Sequence, residues 1–168
     1  KKYISFTDDI EKTIQHSDVV FVAVGTPSLS DGRADLSQII SVAEKLRDLI
    51  NHYTIVVVKS TVPVGAIEII EDILSEKLSV GEDFDVVSNP EFLREGSGLV
   101  DFYNPSRIII GCNSESSGKI LKEIYKPLLE RNYIVDNSFS INNLNIEILL
   151  TDPVSAQMVK YASNAFLA

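Results

Sequence analysis

The chain has 168 residues, of which 45% are hydrophobic and 23% charged, as in a single globular domain with a sizeable core. A net charge of −9 excludes non-specific binding to a nucleic-acid backbone as the main activity, because such binding needs a basic face. No apolar run approaches the ~18 residues of a membrane span, so we expect neither a nucleic acid nor a membrane as partner.

The chain contains one cysteine, Cys112, so it cannot form an internal disulfide. A single cysteine fits a reducing compartment, and we expect a cytoplasmic protein. The chain does not begin with methionine, and it ends at Ala168 inside a helical pattern without a stop signal. We therefore expect a fragment of a longer protein.

The hydrophobic period alternates along the chain between that of strands and that of helices. Strands are predicted at 3–7, 18–24, 54–58, 84–88, 107–111, 133–135 and 147–151. Helices are predicted from Ile10, from Leu36, at 66–78, at 118–129 and from Pro153, with Asp152 or Thr151 as the last cap. Residues 136–147, rich in Asn and Ser, are predicted as a loop or insertion.

Strands that alternate with helices in this way predict an α/β fold with a doubly wound, Rossmann-like parallel sheet. Right-handed crossovers place the carboxyl ends of parallel strands at one edge of the sheet. We expect the loops 24–28, 59–65 and 88–96 to meet at that edge, where open α/β folds bind their ligands.

The first two loops carry small polar groups. Thr26 and the backbone around Val24, Gly25, Pro27 and Ser28 could contact a ribose or pyrophosphate, although turn chemistry alone favours a plain connecting turn. Ser60 and Thr61 could orient a water or a cofactor. Alternatively, one of these hydroxyls caps the helix that begins near residue 66. The usual G-x-G-x-x-G turn is absent from these 168 residues.

The third loop, Asn89-Pro90-Glu91-Phe92-Leu93-Arg94-Glu95-Gly96, concentrates charge at the end of a buried strand. Paired carboxylates such as Glu91 and Glu95 can divide acid and base work. Phe92 and Leu93 would anchor the loop and aim the carboxylates. The alternative is a surface capping arrangement in which Arg94 neutralises a neighbour.

On the last helix, Lys160 and Asn164 are four residues apart, and Gln157 and Leu167 share their side. A lysine that faces an enclosed site can stabilise a developing oxyanion, and an asparagine can fix its direction. A solvent-facing polar stripe is the alternative. No metal-ligand spacing occurs, and Cys112 is interpreted as a packed residue rather than a nucleophile.

Five segments in this order resemble one family, the nucleotide-sugar 6-dehydrogenases that act on UDP-glucose, GDP-mannose or UDP-N-acetylmannosamine. They are Val24-Gly25-Thr26-Pro27, Lys59-Ser60-Thr61-Val62-Pro63-Val64-Gly65, the 89–96 loop, Asn104-Pro105-Ser106-Arg107-Ile108-Ile109-Ile110-Gly111 and Lys160-Tyr161-Ala162-Ser163-Asn164-Ala165-Phe166-Leu167-Ala168. The likeness is greatest to the UDP-glucose branch. Gln157 stands where the family usually has Glu.

The resemblance implies oxidation of the sugar's C6 alcohol by two hydride transfers to NAD, through a thioester on a cysteine outside this chain. It implies that residues 91–95, Lys160 and Asn164 line the sugar nucleotide and that Glu91 activates the hydrolytic water. Thr61 would help to hold that water, and Lys160 would stabilise the oxyanion beside Asn164. Residues 24–28, Ser60 and Thr61 would contact NAD, with Glu95 near the nicotinamide.

The resemblance also implies a domain plan. Residues 1–150 would be the second half of an NAD-binding domain, a partial doubly wound sheet whose first glycine-rich unit precedes the chain. Residues 151–168 would begin a long central helix that forms a homodimer near Pro153, with a C-terminal domain beyond. The isolated chain should then show no turnover. A non-catalytic nucleotide-binding module and another Rossmann dehydrogenase remain the alternatives.

Overall fold

The computed structural model describes residues 3–130 and 146–167, and within these ranges it contains five strands and six helices. The strands are β1 (Val19–Val22), β2 (Thr54–Val58), β3 (Phe84–Ser88), β4 (Arg107–Gly111) and β5 (Glu147–Thr151). The helices are α1 (Ile10–Ile14), α2 (Ser37–Leu49), α3 (Ala66–Ser75), α4 (Gly98–Tyr103), α5 (Glu115–Leu129) and α6 (Pro153–Leu167).

The five strands form one sheet in chain order, and this confirms the predicted α/β, Rossmann-like fold. β1, β2 and β3 are parallel, and every residue of β2 and β3 is buried. Alternate β2 residues face opposite cores: Val56 and Val58 pack with α2 and α3, whereas Ile55 and Val57 pack with α5. The sheet is therefore covered on both faces, as a doubly wound arrangement requires.

β4 departs from the prediction of a wholly parallel sheet. It runs antiparallel to β3 and meets it at a single pair, Ser88 and Gly111, while β5 runs parallel to β4. The connection from β3 to β4, residues 89–106, contains the 89–96 loop and the short helix α4. β4 lies beside this loop, since the Ile109 carbonyl accepts from Asn89 and the Arg107 guanidinium lies over the Phe92 ring.

Several boundaries differ from the predicted ones. Residues 3–7 form no strand, the rings of Tyr3 and Phe6 are almost fully exposed, and no strand of the described residues pairs with this alternating segment. α4 was not predicted from the sequence. α5 begins at Glu115 rather than at residue 118, because the Ser114 side chain accepts the Ser117 N–H. The predicted strand at 133–135 and nearly all of 136–147 lie outside the described residues.

α6 begins directly over the end of β4. The Asp152 carboxylate accepts the Ser155 N–H at 2.8 Å and caps the helix, as predicted. Gly111 permits this approach, because a Cβ there would lie 2.5 Å from the Cβ of Ala156 and 2.8 Å from the Asp152 carbonyl oxygen. α6 buries polar side chains, Gln157 and Lys160, and exposes apolar ones, which are Val154, Met158, Tyr161 and Phe166.

Candidate active site

The loops that follow β1, β2 and β3 lie at one edge of the sheet, because these three strands are parallel. The loops after β1 and β2 are joined by hydrogen bonds from two hydroxyl groups. Ser60 Oγ accepts the Val24 N–H at 2.8 Å and donates to the Val24 carbonyl at 2.7 Å, and Thr26 Oγ1 donates to the Thr61 carbonyl at 2.7 Å. These bonds fix 24–28 against 59–65.

The alternative in which Ser60 or Thr61 caps α3 is wrong. The residue at that cap is Gly65, in the left-handed region with φ of 96°, and no side chain of its own caps the helix. The Gly65 N–H instead donates to Gln157 Oε1 of α6 at 3.0 Å. Gln157 is 2% exposed, and its Nε2 has no hydrogen-bond partner within the described residues.

Asn89, at the end of β3, is a fully buried junction between four elements. Its Nδ2 donates to the Ile109 carbonyl of β4 at 2.7 Å. Its Oδ1 accepts from Tyr125 Oη of α5 and, at 3.3 Å, from Lys59 Nζ at the end of β2. Since each of these side-chain polar atoms is paired, the junction holds the start of the 89–96 loop rigidly.

Lys59 is a partly buried ammonium with neutral hydrogen-bond partners. Besides Asn89, its Nζ lies 3.5 Å from Tyr125 Oη. Burial lowers the pKa of Lys59 to about 8, with Glu91 opposing the shift and Lys160 adding to it. Burial also raises the pKa of Tyr125 to about 12, so its hydroxyl stays protonated and can donate to Asn89.

Lys160 and Glu91 form an ion pair across 69 residues of sequence. Lys160 Nζ lies 3.3 Å from Glu91 Oε1, and the two side chains are 7% and 30% exposed. The other Glu91 oxygen accepts the Leu93 N–H within the same loop. The solvent-facing stripe considered for this helix is therefore wrong for Lys160.

Phe92 lies between two cations. Lys160 Nζ and the Arg107 guanidinium carbon are each 5.3 Å from the centre of its ring. The Phe92 ring thus links the loop both to α6 and to the first residue of β4. Placement of Arg107 here follows from the antiparallel course of β4.

Arg94 pairs with Asp101 of α4 rather than with either glutamate. Its backbone N–H, Nε and Nη2 all donate to the Asp101 carboxylate, at 2.7–3.1 Å. The Arg94 hydrogen bonds hold the pKa of Asp101 well below its usual range. This pair, of an exposed Arg94 and a largely covered Asp101, attaches the loop to α4.

A cavity of about 330 Å³ opens beside the loop. Lys59, Glu91, Arg94, Asp101 and Arg107 supply its charged groups. Its apolar walls are Pro90, Phe92, Leu93, Phe102, Pro105, Ile108 and Leu128. A cavity of this size with charged groups and apolar walls suits a small polar ligand that carries an apolar portion.

Other candidate residues lie at the edge without being joined to this network. The side chains of Glu95 and Asn164 are exposed. Leu93 is 42% exposed, Pro27 and Ser28 are exposed, and Gly25 borders the Gln38 side chain. No structural observation tests the proposed roles of these residues.

Sequence reasoning assigned no role to Lys59, Asn89, Asp101, Arg107 or Tyr125. Three of them, Lys59, Asn89 and Arg107, stand at the ends of apolar strands inside quoted segments, which was a usable signal. Tyr125 lies on the apolar face of α5, where its sequence pattern is that of a core residue. Asp101 lies in α4, a helix that the sequence did not predict.

No group of three potential metal-ligand side chains is found among residues 3–130 and 146–167. Over the same ranges, no helix is both long enough and apolar enough to span a bilayer. Cys112 is partly buried, and this burial raises the pKa of its thiol, which opposes a role as nucleophile.

Comparison with known proteins identifies relatives of this arrangement. Residues 1–129 match the family model described as the UDP-glucose/GDP-mannose dehydrogenase family, NAD binding domain. A UDP-glucose 6-dehydrogenase of Bacillus subtilis is 41% identical over 165 residues, which are 98% of this chain and 34% of that protein.

Two solved structures are also similar. A UDP-glucose dehydrogenase from Pyrobaculum islandicum superposes with a TM-score of 0.81 at 38% identity, over 97% of this chain and 35% of that chain. GDP-mannose dehydrogenase from Pseudomonas aeruginosa gives 0.77 at 34% identity, over 95% and 34%. The chain thus spans about a third of the length of the relatives it matches.

The matched domain binds NAD, and NAD is the cofactor of this chain. The β1 and β2 loops fit such a ligand. Residues 24–28, Ser60 and Thr61 carry no charge, so the cofactor's phosphates meet no carboxylate on them. Because the Ser60 and Thr26 hydroxyls already donate within the protein, the donors left for a cofactor are the loop backbone and the hydroxyls of Ser28 and Thr61.

Proposed function

The chain belongs to the UDP-glucose/GDP-mannose dehydrogenase family, and from this we propose that its parent protein oxidises the C6 alcohol of a nucleotide sugar, UDP-glucose, to a carboxylate. In the balanced reaction, one alcohol, one water and two NAD⁺ give one carboxylate, two NADH and three protons. The observation that carries the proposal is the largely buried Lys160–Glu91 pair, which lies at the same sheet edge as the uncharged cofactor loops.

We assign the chemistry of the first step to Lys160. Removal of hydride from C6 requires that the alcohol proton also leave, so negative charge develops on the C6 oxygen. An ammonium that is 7% exposed is poorly screened by water and stabilises this charge as it develops. NAD, when bound, accepts the hydride. Asn164, one turn beyond Lys160, would orient the same oxygen.

Glu91 is the proposed base for the hydrolytic water. Its carboxylate is held in place from two sides, by Lys160 and by the Leu93 N–H, so little reorganisation is needed when it accepts a proton. We place Thr61 beside this water and Glu95 towards the nicotinamide. Phe92, Leu93 and Arg94 complete the sugar-nucleotide wall. The acyl-carrying cysteine that the resemblance implies is not Cys112.

The exposed apolar face of α6 supports a homodimer. Val154, Met158 and Tyr161 are 41%, 54% and 39% exposed, while polar Gln157 and Lys160 face inward. An amphipathic helix with its apolar side outward is stabilised when a partner covers that side. We propose a second copy as that partner and, from the single free cysteine, a cytoplasmic location.

The test uses the full-length protein. Isothermal titration with UDP-glucose, GDP-mannose and UDP-N-acetylmannosamine should show tightest binding of UDP-glucose, and addition of NAD⁺ should produce two NADH per sugar oxidised. Preference for GDP-mannose would move the assignment to that branch of the family. Binding of a nucleotide without any NADH formation would favour the non-catalytic module.

A further inference from the structure

The charged cluster formed by Lys59, Lys160 and Glu91 beside the 89–96 loop contains two positive charges and one negative charge. Lys160 is neutralised by Glu91 at 3.3 Å, so this pair contributes no net charge. The charges of Glu91 and Lys160 both affect the pKa of Lys59, but its hydrogen-bond partners are the neutral Asn89 and Tyr125. Within the described part of the chain it forms no ion pair. The excess positive charge therefore resides on Lys59.

We propose that Lys59 is a binding residue for the anionic group formed at this site and that it favours the carboxylate product over the alcohol substrate. This inference rests on the proposed oxidation of an alcohol to a carboxylate. Substrate and product of that reaction differ by one negative charge at C6, so a partly desolvated ammonium near C6 distinguishes them.

The position of the Lys59 ammonium suits an anion that forms at the site after the substrate has bound. Asn89 and Tyr125 hold the Lys59 ammonium before any ligand is present, and Asn89 is itself fixed by the Ile109 carbonyl. The ammonium has three N–H donors and only two partners within the described residues, so one donor is available to a ligand oxygen. Lys59 and Glu91 line the same cavity.

The other charges around the cavity do not replace Lys59. Arg94 is paired with Asp101, and Arg107 lies over the Phe92 ring at the exposed start of β4. Removal of the Lys59 charge should therefore leave a cluster in which Lys160 and Glu91 cancel. A carboxylate bound there would lose its uncompensated cation, whereas an alcohol would lose only a hydrogen bond.

The experiment measures dissociation constants for UDP-glucose, UDP-glucuronate and UDP with the full-length protein, by isothermal titration at pH 7. In Lys59→Met, we expect affinity for UDP-glucuronate to fall about tenfold or more, and affinities for UDP-glucose and UDP to change less than about threefold. Lys59→Arg should restore part of the product affinity. Lys119→Met, at an exposed position of α5, is the matched control.

A second measurement needs no variant. Because burial lowers the pKa of Lys59 to about 8, the wild-type affinity for UDP-glucuronate should fall between pH 7 and 9 relative to UDP-glucose. Tyr125, whose pKa is raised to about 12, does not titrate in this range. This series applies even if Lys59→Met fails to fold.

Equal losses for alcohol and carboxylate, or no loss for either, would overturn the inference while leaving the oxidation itself intact. So would a ratio of affinities that stays flat with pH. If the wild-type protein binds both sugars but forms no NADH, the proposed reaction fails, and the affinity ratio still reports on Lys59. Failure to bind either sugar would refute both.

Discussion

The two sides of the sheet edge are held together by different chemistry. On the cofactor side, the loops after β1 and β2 are joined by neutral bonds from Ser60 and Thr26 to backbone groups. On the proposed substrate side, the loop after β3 is held by largely buried charges and by Asn89. Loss of a neutral bond costs little, whereas loss of one buried partner leaves the other uncompensated. Substitutions on the two sides should therefore differ in size and in kind.

The largest effect is expected from Lys160. Lys160→Met in the full-length protein should lower kcat by about 10²–10³, because it removes the cation that we propose to stabilise the developing oxyanion. The change in KM for UDP-glucose should stay within a few-fold, as measured by NADH absorbance. Lys126→Met, at an exposed position of α5, is the control. A large loss of sugar affinity with intact kcat would contradict the role assigned to Lys160.

The next effect concerns the junction at β3. Asn89→Ala should lower the free energy of unfolding by about 2–4 kcal/mol, because it removes the buried partner of Lys59, Tyr125 and the Ile109 carbonyl. Urea denaturation measures the loss, and Asn113→Ala at an exposed position should be nearly neutral. Equal effects for the two variants would mean that Asn89 is not the structural junction described above.

Replacement of Lys59 should raise the free energy of unfolding, whereas replacement of Asn89 should lower it. Since its pKa falls from 10.5 to about 8 on folding, the unfolded chain binds more protons between these values, and burial of Lys59 destabilises the fold fully below pH 8. Lys59→Met should therefore raise the free energy of unfolding at pH 7 by about 1–3 kcal/mol. The advantage should shrink from pH 8 to 10.5. Melting curves across that range check this, and a constant difference would contradict it.

The smallest effect lies on the cofactor side. Ser60→Ala should lower the free energy of unfolding by about 1 kcal/mol and weaken NAD binding a few-fold. The reason is that the N–H and the carbonyl of Val24 both lose the Ser60 hydroxyl as hydrogen-bond partner. UDP-glucose affinity should not change. Titration calorimetry with each ligand separates the two sides, and Ser75→Ala at the exposed end of α3 is the control. Equal losses for cofactor and sugar would show that the two sides are not independent.

Much of the scaffold could be predicted because its signals are local. β2 was placed correctly at Thr54–Val58 and β4 at Arg107–Gly111, since continuous β-branched runs mark buried strands. The Asp152 cap was also visible in the sequence. The direction of β4 was not, because an apolar strand pattern does not report whether its neighbour in the sheet runs parallel or antiparallel to it.

The location of the candidate site could be predicted from the sequence, but the contacts between its side chains could not. The sequence placed Glu91 and Lys160 among the important residues, but their contact joins positions 69 residues apart and follows only from the packing of α6 on β3 and β4. Arg94 could not be matched to Asp101 without α4. The role of Asn89 depends on four elements that converge in three dimensions, and no local pattern reports this.

The glycine at the end of β4 has a mechanical consequence. Gly111 lets α6 start in direct contact with the sheet, with no room for even a methyl group. Lys160 is seven residues after Pro153, a rise of about 10 Å along a stiff helix. A displacement of the first turn of α6 would move the Lys160 ammonium, whose proposed role requires its position to be kept within about an ångström. Under that proposal, the alignment of the reacting groups depends partly on the absence of a side chain at Gly111, about two helical turns away.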